Sequence, residues 1–182
     1  MKDLIEKTRK EMNTLGGVVE VWAVNVPVGL GSYVHWDRKI GGQIAQALMS
    51  IPSVKAVEIG SGVENVSKFG SEVHDEIYYD KDYYRKTNRA GGIEGGMTNG
   101  MPIVARVYHK PISTLYKPMN TVDIITKKSV KATVERSDIC ILPRGGVVSE
   151  AMLAFVISQN LLEKYGSDSL DTLLQNVAIA KK

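Results

Sequence analysis

Residues 89–110 read RAGGIEGGMTNGMPIVARVYHK, a glycine-rich segment that runs directly into a β-rich one. Five of the first twelve positions are glycine. The segment contains no G-x-G-x-x-G, and it precedes a strand where a Rossmann fingerprint would open a helix, so that motif is excluded. No Gly-Lys-Ser/Thr follows, so the segment is not a P-loop either. The glycines indicate either a tight turn or a backbone surface that lies against a ligand.

Helices and strands alternate on both sides of this segment. The apolar patterns predict strands at 16–27, 52–60 and 101–110 and helices at 2–12, 37–51, 147–166 and 167–182. Few connections have the short strand-turn-helix form of a doubly wound sheet. An α+β class, with antiparallel strands packed on helices, fits better. We expect residues 1–182 to form a single domain, since the chain has no low-complexity linker.

Several positions carry local expectations. Asp37 is placed to cap the second helix, and Gly166 is placed to end the long one. The second helix has an apolar stripe formed by Ile40, Ile44, Ala47, Leu48 and Ile51. The pair Gly41 and Gly42 in the same helix suggests that another backbone approaches closely. The strand at 16–27 is rich in β-branched residues and is expected to be apolar on both faces.

Composition narrows the class of partner. The net charge of +3, from 23 basic and 20 acidic residues, is too small to predict binding to nucleic acid or a membrane surface. Cys140 is the single cysteine, which excludes an internal disulfide and suits a reducing compartment. No apolar stretch approaches the roughly 20 residues of a membrane span, and the N-terminus has no secretory h-region. We therefore expect a cytoplasmic protein.

The titratable residues leave more than one interpretation open. His35, His74 and His109 are far apart in sequence and lack the spacing of zinc ligands. The sequence HDE at 74–76 fits a solvated strand edge or a subunit contact better than a catalytic cluster. Basic residues near the glycines form either a solvated face or an anion site; these are Arg85, Lys86, Arg89, Lys110 and Arg136.

The order of the motifs is more specific than any one of them. The chain reads GGVVEV, ALMSIPSVKAVEIGSG, GSEVHDEI, TNRAGGIEGGMTNGMPI, KPIST, TVD, ERSDICILPRGG and EAMLAFVI in succession. This series closely resembles the C-terminal half of chorismate synthase, from about residue 15 to about residue 162. The resemblance implies half of that family's β-α-β sandwich.

The resemblance also implies an activity. Members of this family convert 5-enolpyruvylshikimate 3-phosphate to chorismate by anti-1,4 elimination of phosphate, and they require reduced FMN although no net redox change occurs. NADPH enters only indirectly, as a source of reduced flavin. The family members are typically homotetramers. A substrate with two carboxylates and a phosphate needs a dry, cationic pocket, and a reduced flavin supplies electron density as phosphate leaves.

Particular residues take roles from the same resemblance. Asp138 matches an aspartate near the isoalloxazine ring, with a proposed part in a proton relay. The residues matching FMN contacts are Pro52, Ser53, Gly95, Lys110, Pro111, Ile112, Ser113, Thr114 and Arg136. On this interpretation FMN lies against the glycine backbone with Lys110 at its phosphate end. The family often has Arg-His-Asp-Pro-Cys where this chain has RSDIC, so a role that needs that histidine is not carried over.

The family's N-terminal motifs, with two catalytic histidines and much of the phosphate clamp, do not occur in these 182 residues. We therefore expect negligible turnover from this chain by itself. Two other interpretations stay open. One is a non-catalytic domain that self-associates through exposed sheet edges, and the other is an unrelated flavin- or phosphate-binding oxidoreductase.

Overall fold

A computed structural model describes residues 1–180 of the chain. The helices are α1 (Lys2–Lys10), α2 (Ile40–Met49), α3 (Gly62–Asn65), α4 (Gly70–Val73), α5 (Leu142–Tyr165) and α6 (Leu170–Ala180). The strands are β1 (Gly17–Ala23), β2 (Val54–Ile59), β3 (Ile77–Asp80), β4 (Asp82–Arg85), β5 (Ile93–Glu94), β6 (Met97–Thr98), β7 (Ile103–His109), β8 (Asn120–Val122) and β9 (Ser129–Lys131).

The centre of the fold is a three-stranded antiparallel sheet in the order β1-β7-β2. The middle strand, β7, pairs with β1 over its whole length, from His109 opposite Gly17 to Ile103 opposite Ala23. The other edge of β7 pairs with β2, again antiparallel. Three further antiparallel hairpins, β3–β4, β5–β6 and β8–β9, complete the strands. The predicted α+β class with antiparallel strands on helices is confirmed.

Helices α2 and α5 pack on one face of the sheet and on each other. From α2, the fully buried Ile40, Ile44 and Leu48 repeat every fourth residue, so they form one stripe along the helix. From α5, Leu153 and Val156 enter the same core. Truncating one of these side chains to alanine would cost about 2–5 kcal/mol. The predicted core stripe is confirmed, because Ala47 and Ile51, which lies just beyond the end of the helix, also pack in this core.

The opposite face of the sheet carries a network of charged and polar side chains. Arg106 on β7 donates from Nε to Glu20 of β1 at 2.7 Å, and its Nη1 lies 3.6 Å from Glu58 of β2. Tyr108 donates its hydroxyl hydrogen to the same Glu58 carboxylate. This hydrogen bond lowers the pKa of Glu58 despite its burial. The expectation that the first strand is apolar on both faces is wrong, because its outer face carries Glu20 within this network.

Two expectations about α2 are also wrong. Asp37 lies in a 3-10 turn (Trp36–Arg38), and its carboxylate is 2.7 Å from His35 Nδ1, so it does not cap the helix. The Ile40 N–H instead donates to the Gly96 carbonyl at 2.9 Å. An added Cβ at Gly41 or Gly42 would have its nearest neighbour at 3.6 or 3.5 Å, an ordinary contact. The glycine pair therefore does not mark a close backbone approach.

Helix α5 begins at Leu142, not at 147 as predicted. Pro143 lies in its first turn, where a missing N–H breaks no helical hydrogen bond. The helix ends at Tyr165, and Gly166 follows with φ 57°, which confirms the predicted glycine C-cap. The long helix therefore starts five residues earlier than predicted, with a proline in its first turn.

By length and composition alone, α5 is long and apolar enough to cross a bilayer, so the expectation that no segment approaches such a span is wrong. The core helix of a globular domain passes the same test. Only 28% of its most apolar window is buried within the chain, and Val147, Phe155 and Leu162 are exposed. One face of α5 is therefore left uncovered by residues 1–180.

Candidate functional site

A turn and a strand end meet beside β2 and β7. Ser53 precedes β2 and has φ 75°, a left-handed conformation that is uncommon for a residue other than glycine. The N–H of Lys110, which directly follows β7, donates to the Ser53 carbonyl at 2.9 Å. Pro52 and Lys110 are exposed and Ser53 is half-buried. The predicted residues of the turn and the start of the Lys110–Thr114 segment therefore lie together.

The short segment Thr14–Gly16 connects the remaining predicted residues to this turn. The buried Thr14 donates its hydroxyl hydrogen to the Ile112 carbonyl at 2.7 Å. The Leu15 N–H donates to the Ile139 carbonyl at 2.7 Å, and Leu15 forms a parallel bridge with Cys140. Residues 110–114 and residues 136–138 consequently flank one segment. We call Pro52, Ser53 and these two stretches the β7-end cluster.

Three charged side chains belong to the β7-end cluster, and a fourth reaches it from helix α5. Lys110 and Arg136 are exposed. Asp138 is half-buried and forms an ion pair with Arg144, which lies in the first turn of α5. The cluster therefore offers two cations at its surface and one carboxylate that is held in place by a neighbouring helix.

His109, the last residue of β7, lies directly beneath the cluster. It is 5% exposed, and its Nδ1 lies 2.9 Å from Ser53 Oγ. Burial lowers the pKa of His109 from its ordinary value of 6.5. Among residues 1–180, its Nε2 has no hydrogen-bond partner. The imidazole is thus a buried polar group whose one hydrogen bond goes to a predicted site residue.

Gly95 lies away from the β7-end cluster. It belongs to the β5–β6 hairpin, which precedes β7, whereas Lys110 follows β7. The seven residues of β7 separate these two places by about 20 Å at roughly 3.4 Å per residue. The structure of one chain therefore does not bring Gly95 beside the other predicted residues, and Lys110 is not next to the glycine loop.

The glycine loop packs against the protein's own backbone. An added Cβ would lie 2.4 Å from the Gly60 nitrogen at Gly91, and 2.5 Å from the Pro102 carbonyl oxygen at Gly92. Both glycines have positive φ, at 63° and 79°. No side chain fits such approaches. A tight turn explains these two glycines, whereas the space around a Cβ at Gly95 is open to 4 Å.

The sequence HDE at 74–76 contains a structural residue. Asp75 is buried, and its carboxylate accepts hydrogen bonds from the Thr87 hydroxyl at 2.6 Å and from the Arg89 and Ala90 N–H groups at 2.9 Å. Burial raises the pKa of Asp75, but these hydrogen bonds outweigh it and lower the pKa overall. The expectation of a solvated edge is wrong for Asp75.

A cleft of about 530 Å³ lies beside this turn, lined by residues that include Lys68, His74, Glu76, Lys86 and Arg89. None of the residues that the sequence assigned to FMN or to proton transfer lines it. Residues 1–180 also bring no three His, Cys, Asp or Glu side chains together as metal ligands would require. The β7-end cluster is therefore the place where predicted functional residues converge.

Comparison with known proteins identifies the family of the chain. The family profile described as chorismate synthase matches residues 1–162. The chain belongs to the chorismate synthase family. A chorismate synthase of Caldicellulosiruptor bescii is 55% identical over 177 residues, which are 96% of this chain and 46% of the relative. One from Syntrophotalea carbinolica is 52% identical over 174 residues, 95% of this chain and 45% of the relative.

A crystal structure of a chorismate synthase shares the fold. It matches 98% of this chain and 46% of its own, with a TM-score of 0.82 and 44% sequence identity. The chain thus spans about half the length of the curated relatives and of the solved structure. The resemblance to part of a chorismate synthase, stated above from the motif order, is confirmed.

Sequence reasoning missed the residues that hold the cluster together. Thr14 and Ile112 are 98 residues apart in sequence, so no local pattern links them. His109 was noted only as a poor zinc ligand, although it directly precedes the predicted Lys110. Gly16 was assigned to a strand, but an added Cβ there would lie 2.3 Å from the His109 carbonyl oxygen. Gly16 was the one feature of the sequence that could have indicated a close packing of this segment against the end of β7.

Proposed function

We propose that this chain supplies one half of a chorismate synthase, the enzyme that eliminates phosphate from 5-enolpyruvylshikimate 3-phosphate to give chorismate. The observation that carries the proposal is the β7-end cluster: residues from three distant parts of the sequence converge there in a chain of this family. The substrate is then a small molecule with two carboxylates and a phosphate. We propose neither a nucleic acid nor a membrane as a partner. We propose a cytoplasmic location, which is supported by the single Cys140 because a chain without a disulfide suits a reducing compartment.

We infer that the β7-end cluster holds the ribityl and phosphate part of FMN. Its residue types fit that group, because Lys110 and Arg136 offer exposed positive charge, and Ser113 and Thr114 offer hydroxyls beside them. The turn at Pro52 and Ser53 offers backbone in a left-handed conformation. Gly95 would reach the same cofactor only if FMN ran along β7 or if a second copy of the chain contributed the glycine.

The reaction breaks a carbon–oxygen bond to phosphate and removes one proton from the substrate. Reduced FMN, when bound, supplies electron density to the substrate as phosphate leaves. Lys110 and Arg136 place positive charge where anionic groups must bind. Arg144 pairs with one oxygen of the Asp138 carboxylate at the surface, and the other oxygen of Asp138 is the one that would exchange a proton.

The other half of the relatives' length is the partner that this proposal requires. In the family's pattern it carries the two catalytic histidines, which do not occur at matching motifs in these 182 residues. We propose that the working enzyme combines both halves and forms a homo-oligomer, a tetramer in the family. The chain by itself has negligible turnover on this proposal.

Flavin fluorescence tests the cofactor site. FMN is titrated with the purified chain, alone and mixed with the remaining half of the Caldicellulosiruptor bescii relative, with and without substrate. We expect saturable quenching, and we expect Lys110→Ala to weaken it at least about tenfold, since a charge-assisted contact is lost. Lys128→Ala removes an equally exposed lysine from the β8–β9 hairpin and should change nothing.

Two outcomes would contradict the proposal. One is equal quenching by the Lys110→Ala and Lys128→Ala variants, because the cluster would then not be the site. The other is formation of chorismate by the purified chain with reduced FMN and no second half, because the chain would then not depend on the missing histidines.

A second candidate function has one observation in its favour. Large apolar side chains are exposed along α5 and α6, among them Phe155, Leu170 and Leu174, and such a surface drives association. The chain would then be a non-catalytic domain that binds copies of itself. A stable oligomer with no affinity for FMN, alone or with the remaining half, would favour this function over the first.

A further inference from the structure

His109 lies where three segments of the β7-end cluster meet. It is the last residue of β7 and directly precedes Lys110. Its side chain contacts the Ser53 turn on one side and the start of α5 on the other. It is a buried histidine on an otherwise apolar inner face of the sheet, where Ile103, Ala105 and Val107 precede it at alternate positions. Its burial therefore calls for a specific role.

The contact with Ser53 fixes a strained turn. Ser53 has φ 75°, and two hydrogen bonds hold it there: its Oγ lies 2.9 Å from His109 Nδ1, and its carbonyl accepts from the Lys110 N–H at 2.9 Å. Both bonds come from the end of β7, one through a side chain and one through the backbone. The orientation of Ser53 relative to Lys110 therefore depends on the imidazole.

The contact with α5 leaves no spare room. An added Cβ at Gly145 would lie 2.9 Å from His109 Cε1 and 3.0 Å from Nε2. The first turn of α5 can thus approach the sheet only because residue 145 has no side chain. The next residue back, Arg144, holds Asp138 by an ion pair. The ring therefore packs against the same turn of α5 that carries Arg144, the partner of Asp138.

We propose that His109 is a positioning residue of the FMN site, holding the Ser53 turn and the start of α5 in register through its Nδ1 hydrogen bond and its ring. This rests on the proposed function above. His109 touches neither FMN nor substrate on this proposal. Its effect passes through Ser53, Lys110 and Asp138. No hydrogen bond within residues 1–180 engages Nε2, so the bond at Nδ1 is the polar contact that the proposal tests.

Two variants of similar polarity separate this role from simple core packing. His109→Asn places an amide near the position of Nδ1 and can still bond to Ser53, whereas the longer side chain of His109→Gln places its amide near the position of Nε2. FMN affinity is measured by fluorescence titration, alone and with the remaining half. We expect His109→Gln to weaken FMN binding roughly tenfold and His109→Asn to stay within about threefold.

A double variant provides a second test, because a purely structural role of His109 would not make its effect on FMN affinity depend on Ser53. Combining His109→Gln with Ser53→Ala should weaken FMN binding no further than the stronger single variant. The reason is that each change removes the same hydrogen bond, between Ser53 Oγ and His109 Nδ1. Thermal unfolding of each variant identifies the fraction that is folded, and the affinity is referred to that fraction. The cycle remains informative if one variant is less stable.

The outcomes separate this proposal from the one on which it rests. If the unsubstituted chain binds no FMN, either alone or mixed with the remaining half, the proposed function is contradicted and this proposal fails with it. If the chain binds FMN and the His109→Asn and His109→Gln variants bind equally well, or if the two changes of the double variant are additive, only the positioning role of His109 is overturned.

Discussion

At the scale of single residues, Asp75 shows what a local pattern does not reveal. Its three hydrogen bonds reach Thr87, Arg89 and Ala90, which lie 12 to 15 residues later. They hold the chain just before it enters the glycine loop. The neighbouring His74 and Glu76 are exposed, so the charged triplet looks solvated although its middle member is buried. Burial of one acid between two exposed neighbours depends on tertiary contacts alone.

Replacing Asp75 by asparagine should destabilise the chain and flatten its response to acid. The pKa of Asp75 is lowered in the folded state, so the unfolded state binds more protons in acid and stability falls as pH drops below about 3.8. Asp75→Asn loses roughly 2 kcal/mol at pH 7, since hydrogen bonds to a charged acceptor are lost. Urea unfolding at a series of pH values between about 2.5 and 7 measures both effects.

The matched control for this prediction is Asp80→Asn, at an exposed position at the end of β3. It should leave the midpoint nearly unchanged at neutral pH. An Asp75→Asn variant as stable as the control, with the same acid response, would show that the buried carboxylate contributes nothing.

At the scale of elements, the sequence predicted some strand and helix boundaries better than others. The strand at 101–110 was correct to within a few residues, because β-branched and aromatic residues, which favour β-structure, make up four of the seven positions of β7: Ile103, Val104, Val107 and Tyr108. The start of α5 was missed, because the helix was predicted only from residue 147, after Pro143 and the two glycines that follow Arg144, although a proline is favourable in the first turn of a helix. The choice between turn and ligand cradle for the glycines needed the contacts with Gly60 and Pro102.

The loop itself provides a matched pair of variants. Gly91 and Gly95 have nearly the same φ, 63° and 60°, but only Gly91 is packed against another backbone. Gly95→Ala should cost about 1 kcal/mol from backbone conformation alone. Gly91→Ala should cost several times more, because Gly60 must move away. Denaturant unfolding compares them, and equal losses would mean that the close approach has no energetic consequence.

At the scale of the whole molecule, the main feature is the uncovered face of α5. The chain spans about half the length of its relatives, and its longest helix has a face that residues 1–180 leave open. The order of the motifs was enough to predict the family and that the chain matches only about half of its members, because motif order can be read directly from the sequence. The sequence could not predict which helix face stays open, because α5 is apolar around most of its circumference.

The open face should make the isolated chain self-associate. Phe155 is 76% exposed at the middle of α5, so Phe155→Glu should shift the chain towards a monomer in size-exclusion chromatography with light scattering. Adding the remaining half of a relative should also replace self-association by a complex of both halves. Tyr79→Glu, an exposed aromatic in the β3–β4 hairpin, serves as the control. A monomeric unsubstituted chain would contradict this prediction.

The bridge between Leu15 and Cys140 also constrains the order of folding. It joins an early segment to a late one, and the Thr14–Ile112 hydrogen bond spans 98 residues. Closing such long loops is entropically unfavourable until the sheet between them has formed. The cluster therefore closes late, after β1, β7 and β2 have paired. A growing polypeptide on the ribosome would acquire the site only after residue 140 had emerged, so cofactor binding would report that synthesis had passed this residue.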